Sequence, residues 1–190
     1  MKTNQQNSKT PGLKLSFRPF ELQLKHRFTL SGSSRKTTPV MLTELEFDGV
    51  VGYGEATMPP YLEETYQTVT SFLSALDLQQ FHDPFQVEEI LQYVDHVAPW
   101  NCAAKASIDI ALHDLIGKLE GKPCHQMWGL DPAKTPNTSF TIGIDEPDVI
   151  RQKVQEASPY KLLKVKVGRS NDLEIIKAIR EETDVPLSVD

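Results

Sequence analysis

Apolar residues alternate with polar ones at Leu13, Leu15 and Phe17, and again, in the opposite phase, at Phe20, Leu22 and Leu24. A period of two is that of a strand with one buried face, and the change of phase around Pro19 predicts a bulge or bend within it. A polar loop is expected from Phe28 to Pro39, then a strand from Met41 to Phe47, a turn at Asp48-Gly49 and a returning strand from Val50 to Gly54. A second loop is expected over Glu55–Pro60. The period then changes to that of a helix. Leu62, Tyr66, Val69, Leu73 and Leu76 share one face, Val87, Ile90, Leu91 and Val94 a second. Ala104, Ile108, Ala111, Leu112, Leu115 and Leu119 form a third stripe, which Gly121 and Pro123 stop.

The pattern changes again after a Pro-containing connector at Asp131–Asn137. A strand over Ser139–Ile144 and a helix over Pro147–Ala157, with Asp145 as its capping candidate, precede a strand at Lys161–Gly168. A helix over Asp172–Glu182 and a strand ending at Asp190 follow. Strand–helix alternation with short connections predicts parallel βαβ units. The expected organisation is a mobile leader over residues 1–12, an α+β domain over 13–130, and the first two and a half units of a barrel over 131–190. A complete (β/α)8 barrel takes roughly 250 residues, so the chain reads as the N-terminal piece of a longer enzyme, cut after the third barrel strand.

The chain has 190 residues and a net charge of −6, which argues against a nucleic-acid role, and its N-terminus lacks the apolar segment of a signal peptide. No apolar run is long enough to span a bilayer, and Cys102 and Cys124 are too few for a disulfide framework. A cytoplasmic protein is expected, with its cysteines reduced.

Parity locates the chemistry. Phe140, Ile142 and Ile144 would face the helices, as would Leu163, Val165 and Val167, and Leu187 and Val189. The inward set then contains Thr141, Lys164, Lys166 and Asp190, residues an apolar barrel core would not choose. Two ammonium groups on one face of a buried strand lower each other's proton affinity, which suits a general base. A carboxylate at the tip of the next strand suits a hard metal ion. Taken alone, Lys-x-Lys also fits a solvated edge strand. Asp109 and His113, one helical turn apart, read as a hydrogen-bonded pair because no third ligand is visible, and Asp114 reads as an anchor for its helix. Glu44, Glu46 and Asp48 read as a solvated strand face, and Gly52 and Gly54 as structural glycines.

Ala106-Ser-Ile-Asp-Ile-Ala-Leu-His-Asp-Leu115, Gly121-Lys-Pro123, Trp128-Gly129, Phe28-Thr-Leu-Ser-Gly-Ser-Ser-Arg35, Gly54-Glu-Ala56 and Leu162-Leu-Lys-Val-Lys166 together resemble the enolase superfamily. Within it the chain is similar to the muconate-lactonising-type subgroup and its dipeptide epimerases, those acting on L-Ala-D/L-Glu and related dipeptides. The resemblance implies an α+β capping domain followed by the start of a (β/α)8 barrel. It implies an isomerase that removes an α-proton to give a Mg²⁺-stabilised enediolate and then reprotonates it. Lys166 would be the base and Lys164 its neighbour, also neutralising the substrate carboxylate. Asp190 would be the first Mg²⁺ ligand. Thr141 would touch substrate, and Arg35 would bind a side-chain carboxylate; an ordinary solvated loop arginine is an equal reading of Arg35. The implied partner is a small dipeptide, with no nucleic acid or membrane, and homo-oligomerisation is left open. Cycloisomerase and o-succinylbenzoate synthase chemistry share the Lys-x-Lys, and a non-catalytic fragment is a further alternative.

Overall fold

The computed structural model describes residues 11–59 and 62–190, so the leader before Pro11, and Pro60 of the second expected loop, lie outside the described residues. The chain forms two compact units, one comprising the chain up to Leu22 with Pro39–Asp131, the other Gln23–Thr38 with Pro132–Asp190.

Strands β1 (Lys14–Thr29), β2 (Ser34–Phe47) and β3 (Val50–Thr57) form one sheet in that order. The phase change in β1 is real but occurs inside one continuous strand: Leu15 and Phe17 turn inward before it, Leu22 and Leu24 after it, and Arg18–Glu21 are exposed between. The polar loop expected over Phe28–Pro39 shrinks to residues 30–33, closed by a Leu30 N–H donating to the Ser33 carbonyl at 2.8 Å. Its polar residues sit on paired strands whose side chains meet solvent, so polarity there signalled exposure rather than irregular backbone. Asp48 and Gly49 form a two-residue turn with φ of 50° and 76°, pairing Phe47 with Val50. The strand after it runs on past Gly54 because Glu55, Ala56 and Thr57 pair with Leu42, Met41 and Val40.

Helices α1 (Tyr66–Ser74), α2 (Val87–Val97) and α3 (Cys102–Glu120) follow. Leu62 and Leu76 lie outside α1, which a Thr65–Thr68 capping box starts. Ile108, Ala111, Leu112 and Leu115 of α3 are fully buried with Leu45 and Ala56 of the sheet. Gly52 and Gly54 allow this: a Cβ on either would collide with backbone of α3, at Ala111 and Leu115 for the first and at Ser107 for the second. Asp114 anchors α3 as expected, accepting the Tyr53 N–H at 2.8 Å. Gly121 ends the helix at φ 66°, and a short helix α4 (Cys124–Met127) follows. Glu44 and Glu46 are partly covered rather than simply solvated, since Ser16 and Lys14 of β1 bond them.

In the second unit, β4 (Ser139–Ile142), β5 (Leu162–Val165) and β6 (Leu187–Val189) form a parallel three-stranded sheet, not closed into a barrel among the described residues. Helices α5 (Pro147–Glu156) and α6 (Asp172–Glu182) cover one face. Ile142, Ile144, Ile150, Val154, Leu163, Val165, Ile175 and Ile179 make that core, as parity requires. Val189 is the exception at 60 % exposure. Asp145 does not cap α5. Glu146 holds the cap position without a side-chain bond, while Asp145 accepts the Lys153 ammonium at 2.9 Å and the Glu146 N–H at 3.0 Å. A buried lysine nearby competes successfully for a carboxylate that would otherwise turn to the helix end.

Candidate active site

The face of the parallel sheet opposite the helices carries the polar set. Thr141 pairs in register with Lys164, and Lys164 with Ser188, so these three side chains lie on the same face. The ladder continues past the strands: Lys166 N–H donates to the Ile142 carbonyl at 2.9 Å, Asp190 N–H to Val165 at 2.9 Å and Val167 N–H to Asp190 at 3.0 Å. Those bonds set Asp190 level with the gap between the two lysines. One carboxylate oxygen pairs with Lys164, and the other accepts the Lys166 ammonium at 2.5 Å. The side chains are 36 % exposed for Lys164, 20 % for Lys166 and 41 % for Asp190. Hydrogen bonds from Lys164 first and Lys166 second hold the Asp190 carboxyl below the ordinary carboxylate range. The lysines that parity brought together are thus joined through a shared counter-ion.

Thr141 and Arg35 meet elsewhere in the same unit. Both line a cavity of about 510 Å³ with Phe28, Phe140, Lys153 and Glu156, and the three ion-paired residues are not among its walls. The Arg35 guanidinium lies 5.3 Å from the centre of the Phe28 ring, and its Nε is buried without a hydrogen-bond partner. Stacked and partly desolvated, Arg35 is not the freely solvated loop residue of the simpler expectation.

Two side chains escaped the sequence reading. Lys153 is 5 % exposed, and Glu156 accepts from Lys25 at 2.8 Å and lies 2.6 Å from His26 Nε2. The signal for Lys153 was its place between Ile150 and Val154 on the apolar stripe of α5. Lys25, then His26, hold the Glu156 carboxyl down to about 2 from 4.5. A depressed carboxylate contributes stability above its unfolded value, so this contribution is complete above about pH 4.5 and lost as pH falls toward about 2. Glu156→Gln is therefore expected to be less stable at neutral pH and to lose less on acidification between those limits. Urea titrations across that range check this, and slopes equal to wild type would contradict it.

Asp190 fits a hard cation in kind, being an oxygen-only donor at a strand end. Among the described residues no group of three His, Cys, Asp or Glu side chains is placed to hold a metal, so Asp190 would be a single ligand of any set. Asp109 and His113 pair with each other at 2.8 Å within α3. Among the described residues no helix is long and apolar enough to cross a membrane.

Residues 17–129 match the family model for the mandelate racemase/muconate lactonizing enzyme N-terminal domain. The chain belongs to this family. As a mandelate racemase/muconate lactonizing enzyme family member it is 56 % identical over 179 residues to the L-Ala-D/L-Glu epimerase of Bacteroides thetaiotaomicron, covering 94 % of this chain and 47 % of that protein. Its fold superposes with a TM-score of 0.78 on the dipeptide epimerase of Enterococcus faecalis solved with Mg and L-Leu-L-Tyr, at 33 % identity, covering 94 % of this chain and 53 % of that one. The L-Ala-D/L-Glu epimerase of Bacillus subtilis, solved as a substrate-liganded complex, shares the fold at a TM-score of 0.80 and 23 % identity, over 94 % and 53 % of the two chains. Curated relatives of this family member include epimerases, which are isomerases, and also a protein named o-succinylbenzoate synthase from Geobacillus stearothermophilus, 31 % identical over 188 residues; the chain spans about half the length of those it matches.

Proposed function

We propose that the full-length protein is a Mg²⁺-dependent epimerase of dipeptides, acting at the α-carbon of the C-terminal residue of L-Ala-D/L-Glu or a related L-Ala dipeptide. The observation that carries the reading is the convergence of Lys164, Lys166 and Asp190 on one sheet face at the C-terminal ends of β5 and β6. In barrel enzymes that end of the strands is where chemistry is placed. Relatives that act on dipeptides, one of them solved with Mg and a dipeptide, support the substrate class.

Asp190 would hold Mg²⁺, which would supply positive charge where negative charge develops on the substrate carboxylate. A lysine base working beside magnesium is the arrangement typical of enolase-superfamily sites. Lys166 would take the α-proton from one face of one stereoisomer, with the proton returned to the opposite face by a second base, and in the reverse direction Lys166 would deliver a proton to its own face. Lys164 would face the substrate carboxylate, and its charge would help neutralise it. Thr141 would contact substrate from β4. Arg35 would receive an acidic side chain, for which its buried Nε without a partner is spare donor capacity.

Incubation of the full-length protein with Mg²⁺, L-Ala-L-Glu and a panel of other dipeptides in D₂O tests the reading. Deuterium at the α-carbon of the second residue, with formation of the diastereomer, is the expected result. Absence of both with every dipeptide would reject it.

A further inference from the structure

The turn at residues 30–33 docks on the ends of the parallel strands of its own unit. Ile144 N–H donates to the Thr29 carbonyl at 3.0 Å, and Arg169 donates to the Leu30 carbonyl at 3.2 Å. A Cβ on Gly168 would lie 3.0 Å from Ser31. Two side chains of α5 grip the strand that leads into this turn. Glu156 takes Lys25 at 2.8 Å and His26 at 2.6 Å, and Gln152 donates to its other oxygen at 3.2 Å. Lys153, three residues earlier on the same helix, spends its buried charge on Asp145 at 2.9 Å and on the Arg27 carbonyl at 3.5 Å. Residues 25, 26 and 27 of β1 are therefore held in succession from one helix face. Nothing in the proton-transfer chemistry uses either group.

We propose that Glu156 and Lys153 are positioning residues, a two-point clamp on β1 that holds the 30–33 turn, and Arg35 just beyond it, against the C-terminal ends of β4 and β5. The Glu156–Lys25 bond at 2.8 Å is charge-assisted and so stronger than a neutral one, and the longer Lys153–Arg27 contact at 3.5 Å adds a second point on the same strand. Arg35 keeps its place by the cavity only while the strand bearing Phe28 stays seated, because its guanidinium stacks on that ring. The consequence for substrate rests on the epimerase reading; the clamp itself does not.

The amides give a local readout. Ile144 N–H is protected by the docked strand, through Thr29, whereas Lys166 N–H is protected within the sheet, by Ile142 at 2.9 Å. Hydrogen exchange of the full-length protein at single-amide resolution is compared for wild type, Glu156→Gln, Lys153→Met and the double variant. In the double variant, exchange at Ile144 is expected to accelerate about tenfold or more, and at Lys166 to stay within about twofold. Equal acceleration at both in the folded protein, or none at either, overturns the clamp. Should the double variant unfold, Glu156→Gln, which keeps the buried Lys153–Asp145 pair, is read by the same criterion. In the full-length protein, Glu156→Gln is further expected to raise KM for L-Ala-L-Glu about fivefold with kcat within about twofold. A fall in kcat at unchanged KM would overturn the positioning of Arg35. If wild type epimerises no dipeptide, the activity reading fails alone and the amides still decide the clamp.

Discussion

Lys166→Ala in the full-length protein is expected to lose α-proton exchange from one stereoisomer of the dipeptide by about 10²–10⁴-fold, the usual loss on removing a general base. Exchange from the other stereoisomer should persist in part, since the opposite face of the α-carbon needs its own base. The structure makes this substitution readable. Asp190 keeps Lys164 as its partner when Lys166 is gone, so no carboxylate is left without a counter-charge. Lys166→Arg is the sharper companion. A guanidinium can still pair with Asp190, yet it stays protonated and cannot accept the α-proton. It should therefore show the same one-sided loss as alanine at near wild-type stability. The measurement is α-proton exchange in D₂O, followed by NMR separately for L-Ala-L-Glu and L-Ala-D-Glu, with urea unfolding alongside. Equal residual exchange from both stereoisomers, or arginine activity close to lysine's, would show that Lys166 is not a base for one face.

The largest stability effect is expected at Gly54. A methyl group there would occupy the space of the Ser107 carbonyl and lie 2.7 Å from Thr43 Oγ1. Thr43 Oγ1 itself donates to that carbonyl at 3.1 Å, and the bond is buried. Gly54→Ala must push α3 away from β3, which overpacks the core and breaks the bond together. Overpacking and a stranded buried polar group give a loss on the order of 2–5 kcal/mol. Gly49→Ala is the control, in an open turn with nothing within 4 Å but φ at +76°. Only backbone strain operates there, about 1–2 kcal/mol. Chemical denaturation of both variants checks the comparison, and equal losses would mean that close approach of helix and strand is not what Gly54 provides.

Much of the fold was legible because it follows from local periodicity. The helical stripes of α2 and α3, the Asp48-Gly49 turn and the shared face of Thr141 and Lys164 depend on side-chain direction along one element, which spacing alone reveals, whereas of the first stripe only Val69 and Leu73 lie buried on α1. Boundaries were less legible. The polar run at Phe28–Pro39 became mostly paired strand because pairing depends on a distant neighbour's backbone. Asp145 looked like a cap because Asp before a helix often is one, and only the folding back of α5 brought Lys153 to it.

The sequence by itself determined the family, through motifs borne along most of its length, and that Thr141 and Lys164 share a sheet face, through a strict alternation that a strand cannot evade. Tertiary structure alone decided which groups meet. Asp190 lies between Lys164 and Lys166 because the parallel ladder sets the relative height of β5 and β6, and no spacing along the chain encodes that height. Glu156 finds Lys25 and His26, 130 residues from His26 along the chain, and Gly54 receives the backbone of α3. Such pairings arise from burying apolar faces against each other, a non-directional force that brings elements together, while the polar groups it happens to juxtapose fix the final geometry.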